Sequence, residues 1–211
     1  MITLKLLDSV STIETNVNKA IAQEVNLRVF QNQQNLLQKC KNLISGWITS
    51  QPEIISLQSS DVMSLAGQFG LYPGQENSAI SAIVSSVENS ITVKFTKFTP
   101  KLVGGIEVNF QPNNFLNLLN LPQGIVNYGK GTLHWLDWLL TKGDSVIVVS
   151  YQYNPTTGLG RSGLGNMIGG GSFRVPPQFS GTQDNNFITR ALIGPQQEQQ
   201  IANIFKEILG A

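Results

Sequence analysis

The chain has 211 residues, enough for one large domain or two small ones, each with a core. Hydrophobic residues at 41% are ordinary, but charged residues make up only 13%, against the usual share of about 25%, and the formal net charge is +1. With no Lys/Arg-dense patch, this argues against gripping nucleic acid through a basic face; so weakly charged a surface is also expected to be covered largely by partner subunits.

Met1–Leu7 alternates weakly and reads as a short strand or a frayed lead-in. From Val10 to Ile48 the apolar positions recur at helical spacing: Val10, Ile13, Val17, Ile21 and Val25, then Val29, Leu36, Cys40, Leu43 and Trp47. A straight helix of that length spans on the order of 55 Å at 1.5 Å per residue. It overshoots a small domain, so part of it is expected to contact another chain. Pro52 is expected to end it. Cys40, the one cysteine, excludes an intrachain disulfide and falls among Leu36, Leu37, Leu43 and Ile44 as a small buried hydrophobe.

Ser59-Ser60-Asp61 offers an N-cap for a short helix over Val62–Phe69, with Gly70 as its stop. Pro73-Gly74 makes a turn, and Glu76–Val87 reads as a third helix with Ala79, Ile80, Ile83, Val84 and Val87 on one face. The period then becomes two: Ile91, Val93 and Phe95, and after Pro100 and Gly104-Gly105, Ile106, Val108 and Phe110, predict an antiparallel pair. Phe115–Leu121 is an apolar run of ambiguous type. Leu133–Lys142 predicts a compact helix carrying Trp135 and Trp138, and Ser145–Tyr153 a well-covered strand. Asp184 or Asn185 is expected to cap a helix through Leu192, Gly194-Pro195 to break it, and Gln196–Leu209 to form the last helix, with Ile201, Ile204, Phe205 and Ile208 inward.

Between strand and cap lies a glycine-rich stretch, with glycines at 158, 160, 163, 165 and 169–171. Glycines lose the most backbone entropy on ordering, so Gly158–Val175 reads as a long arm fixed only where it meets a surface. Met167, Ile168, Phe173 and Val175 are its expected apolar anchors, with Phe179 beyond them. Arg161 and Arg174 flank the segment and are expected to fix its register through carboxylates on a neighbour.

The search for catalytic chemistry is mostly negative. Gly158, Gly160 and Gly163 satisfy G-x-G-x-x-G, but more glycines follow where a dinucleotide fold needs a helix. Gly124, Gly129 and Lys130 have phosphate-loop spacing, but Gly131 stands where Ser or Thr is required. His134 is the only histidine and sits at a packing boundary, which leaves no polyhistidine metal site. No serine lies in a G-x-S-x-G elbow, and Glu107 and Asp137 read as solvated surface groups. No enzyme activity, cofactor or metal is expected. With no secretory leader and no apolar run of about 18 residues, the reading is a soluble protein of intracellular origin, or part of a particle assembled there, without membrane contact.

WLDWLLTKGDSVIVVSYQY (135–153), GRSGLGNMI (160–168) and FRVPPQFSGTQDNNFITRAL (173–192) resemble the neck or tail-completion proteins, the head–tail connectors, of tailed bacteriophages. The resemblance is most specific from Gly160 to Leu192 and diffuse before Trp135. It implies an α+β fold, a twisted, mostly antiparallel sheet packed by helices, with the glycine-rich arm over residues 154–175. It further implies a virion protein of the neck or tail, in the host cytoplasm during assembly. The protein itself would be the main partner, as a hexameric ring. Portal-side, connector or tail proteins would be its neighbours, and DNA would pass through without specific binding. The long N-terminal helix departs from this pattern. It sets residues 1–52 apart from a connector-like domain over 53–211 with a carboxy-terminal helix at 196–209, and fits equally a tail terminator capping the tail tube or a neck component with an added partner site. Without the resemblance, a non-viral interaction module using that helix as a docking rod stands as the other reading.

Overall fold

The structure is a computed structural model and describes residues 7–129, 131–156 and 160–210. Of the lead-in at Met1–Leu7 only Leu7 is described, and Lys130 and Gly158 of the two glycine patterns also lie outside. In chain order the elements are helices α1 (Val10–Thr49), α2 (Pro52–Gln58), α3 (Leu65–Phe69) and α4 (Gln75–Ser90), strands β1 (Thr92–Thr96) and β2 (Gly105–Asn109), and helix α5 (Leu116–Leu119). A 3-10 turn at Pro122–Gly124 leads to strands β3 (Val126–Tyr128) and β4 (Gly131–Leu133), helix α6 (Trp135–Leu140), strands β5 (Val148–Asn154) and β6 (Asn166–Phe173), and helices α7 (Phe187–Leu192) and α8 (Pro195–Leu209). This is an α+β chain with the long N-terminal helix the periodicity requires. Among the described residues strand pairing is antiparallel, distributed over three two-stranded ladders, β1–β2, β3–β4 and β5–β6, with an isolated bridge between Lys142 and Thr182. Helices occupy the chain between the ladders, which stay separate and do not join into one sheet.

The chain forms two compact units, and their limits do not follow the sequence boundary at residue 52. The first takes α1 as far as Cys40, the β1–β2 hairpin and α8 from Glu198 onward; the second takes Lys41–Ile91 and Phe110–Gln197. In the first unit, the Asn26 side chain holds the hairpin loop by donating to Phe98 O (2.9 Å) and accepting from Phe98 N–H (2.8 Å). Helix α8 is fixed to α1: Lys39 pairs with Glu207 at 2.5 Å, and Arg28 donates to Leu209 O at 2.6 Å. Of its expected inward stripe, Ile204 is buried and Ile201, Phe205 and Ile208 are half-buried.

The second unit holds most of the core, including Ile44, Ile54, Leu57, Leu65, Ile83, Leu118, Trp135, Leu139 and Phe187. Pro52 does more than end α1. It opens α2 at its first position, where a missing N–H costs nothing. Glu53 in that first turn is fully buried and receives the Arg190 guanidinium of α7. Helix α3 begins later than the sequence suggests, because Ser64 caps it by accepting from Gly67 N–H at 3.2 Å, while Asp61 closes a turn onto Met63. Asn186, one residue beyond the expected cap, starts α7 through a reciprocal capping box with Thr189.

Cys40 is buried, and burial pushes its thiol up to about 11. Thiolate is the reactive form, so a thiol reagent at pH 8 is expected to label the native protein negligibly and to react in step with unfolding as denaturant rises. Rapid labelling without denaturant would show that this packing is wrong.

Candidate functional site

The second unit carries a groove of about 680 Å³ between the end of α3, the β3–β4 hairpin and the β5–β6 ladder. All four tyrosines of the chain, Tyr72, Tyr128, Tyr151 and Tyr153, line it, with Phe69, Phe173, Met167 and Val148 among the apolar groups. Arg161 is the one charged residue along its walls among the described residues. Tyr72, Tyr128 and Tyr151 are each about half exposed, and a tyrosine combines an apolar ring with a polar end suited to an interface.

Arg161 ties the groove together. Its Nε donates to Gly70 O at 2.8 Å, its Nη1 donates to Asn127 O, and its guanidinium lies 5.1 Å from the centre of the Tyr72 ring. No carboxylate among the described residues pairs with it. Tyr153 is held by donating to Val62 O at 2.5 Å and accepting from Gly165 N–H at 3.0 Å. Burial pushes its hydroxyl above the ordinary tyrosine value; Asp61 adds to the rise, and the Gly165 contact opposes it.

The expected arm is placed differently. Residues 160–165 form a closed turn in which Gly160 N–H donates to Gly165 O at 3.1 Å, an approach so close that a Cβ on Gly160 would meet that oxygen at 2.3 Å. Residues 166–173 then pair with β5. The entropic cost of ordering the glycines is offset inside the unit, by the ladder's hydrogen bonds and by burial of Phe173 and Val175. Those two anchors therefore belong to the unit's own core. Arg161 fixes backbone carbonyls of its own unit, and Arg174 pairs with Asp144 at 3.6 Å on the surface, a contact worth little. Met167 lies opposite Tyr153 and faces the groove; Ile168, opposite Gln152, falls on the other side of the ladder.

Three of the expected residues, Arg161, Met167 and Phe173, thus meet at one site, and Ile168, Arg174 and Val175 do not. The tyrosines were missed because they come from three separate segments without mutual spacing; their only signal is that none lies elsewhere in the chain. The ladder also hides them. Val149 pairs with Ser172 and Tyr151 with Gly169, so one residue of β5 opposes two of β6. This bulge sets Ser150, Gly170 and Gly171 at positive φ, which explains the glycine run, and it brings Val148, Tyr151 and Tyr153 onto the groove despite their odd spacing.

His134 is exposed at the start of α6, and among the described residues no three His, Cys, Asp or Glu side chains lie where they could hold a metal. No helix of the described residues is long and apolar enough to cross a membrane. No family model, curated protein or solved structure matches this chain.

Proposed function

We propose that the chain is a non-enzymatic structural protein of a tailed-phage virion, forming a homo-oligomeric ring at the head–tail junction through which DNA passes without specific binding. The observation that carries this reading is the composition of the groove. Protein interfaces concentrate aromatic residues, Met and Arg at their cores and are depleted in Lys, Asp and Glu, and the described residues of the groove walls follow that rule. The connector-like sequence of residues 135–192 supplies the virion setting, and the low overall charge suits a surface that spends its life covered.

The test is the size and shape of the purified protein and its effect on particles. Light scattering after size exclusion is expected to give a mass of several chains, and negative-stain images annular particles. Particles produced without the protein are expected to separate into full heads and free tails, and to join when it is added. A protein that stays monomeric at all concentrations and does not restore joining would overturn the proposal.

A further inference from the structure

The first unit carries a second surface without a partner among the described residues. Val10, Ile13, Val17 and Ile21 recur at i, i+3, i+7 and i+11 along α1 and fall within a face about 80° wide at 3.6 residues per turn. No residue from Val10 to Ile21 is buried, and Ala22 is the first that is. Val10, Val17 and Ile21 are 65%, 50% and 44% exposed. These β-branched side chains are already stiff at χ1, so covering them loses little rotamer freedom. Glu14 stands three residues before Val17 at the margin of the stripe, and no cation among the described residues pairs with it.

The stripe and the groove complement each other. One is a helix face of four apolar side chains edged by a carboxylate; the other is an aromatic groove in which, among the described residues, the one charge is Arg161, and neither charge has an ionic partner there. We propose that the first turns of α1 from one copy lie in the tyrosine groove of another copy, with Val10, Ile13, Val17 and Ile21 against the tyrosines and Met167, and Glu14 meeting Arg161. This rests on the assembly reading above and names its partner: a second copy of this chain. It is the helix-in-groove mode of recognition. Because one patch meets a different patch on the next copy, the contact is heterologous and generates a ring when the rotation closes.

Disulfide trapping tests it in the full chain, since the buried Cys40 takes no part. Val17→Cys protein is mixed with Tyr151→Cys protein, oxidised and run on a non-reducing gel; Lys19→Cys, on the opposite side of α1, replaces Val17→Cys as control. A cross-linked dimer several-fold above the control is expected, and Glu14→Lys, a surface change, is expected to weaken association about tenfold. Oligomers that form without the specific cross-link would overturn the docking and leave the assembly reading standing. A protein monomeric throughout would overturn both. A Val17→Cys/Tyr151→Cys double variant that closes only within its own chain at every dilution would overturn docking between copies.

Discussion

Replacing Arg190 with alanine is expected to lower the unfolding free energy by about 3 kcal/mol. Its guanidinium donates to Oε1 of Glu53, whose side chain is 1% exposed, and Oε2 of that carboxylate has no hydrogen-bond partner among the described residues. Removing the arginine leaves a buried anion with nothing to neutralise it. Breaking a buried pair from one side costs about 3–5 kcal/mol, and the lower end applies because Arg190 keeps 38% of its side chain exposed. At about 2–4 °C per kcal/mol for a unit of this size, thermal denaturation reads the loss easily. The cost should shrink in a Glu53→Gln background, where the charge is gone and the shape kept. A single-variant loss below about 1 kcal/mol, the range of an exposed pair, would mean that water reaches Glu53.

Trp135→Ala is expected to cost about 3–5 kcal/mol, the range for deleting a buried aromatic side chain. The ring is fully buried, stacks on Phe69 at 5.5 Å between centroids, and donates its Nε1–H to Gln123 O at 3.1 Å. The loss therefore combines a cavity with an orphaned carbonyl. Trp135→Phe should fall well short of it, keeping most of the packing and sacrificing the hydrogen bond. Equal losses from the two variants in a denaturant titration would show that the hydrogen bond, and not packing, dominates at this position.

The strongly periodic elements were legible from residues alone. Helix α1 begins at the predicted Val10 and ends one residue past Ile48; the β1–β2 pair lies within a residue of its expected place, and α4 begins one residue early and runs three residues past Val87. Periodicity gave the helix but not which of its faces would be covered. The core takes Ala22, Val29, Leu36 and Cys40, while the predicted stripe from Val10 to Ile21 is left outside. Helix α6 starts later than expected because Leu133, the last residue of β4, pairs with Val126 of β3. The cap of α7 lay among three consecutive Asx residues, and only Asn186 has a Thr at the third helical position to return its hydrogen bond. The groove was least legible, because a glycine-rich run encodes freedom and bulged pairing equally well. Partners distant in sequence decided between them.

The bulge at Ser150 has a consequence for how the groove can vary. Side chains alternate across a strand, so the face on which Tyr151 and Tyr153 emerge depends on how many residues separate them from the buried Phe173 end of the ladder. Losing one residue from Gly169–Gly171 would restore an uninterrupted ladder and turn one side of it over, although every tyrosine remained in the chain. Substitution at these glycines changes strain; deletion changes which way the strand is read. The site is therefore specified by a count as much as by a composition, and drift in length is the more dangerous kind of drift here.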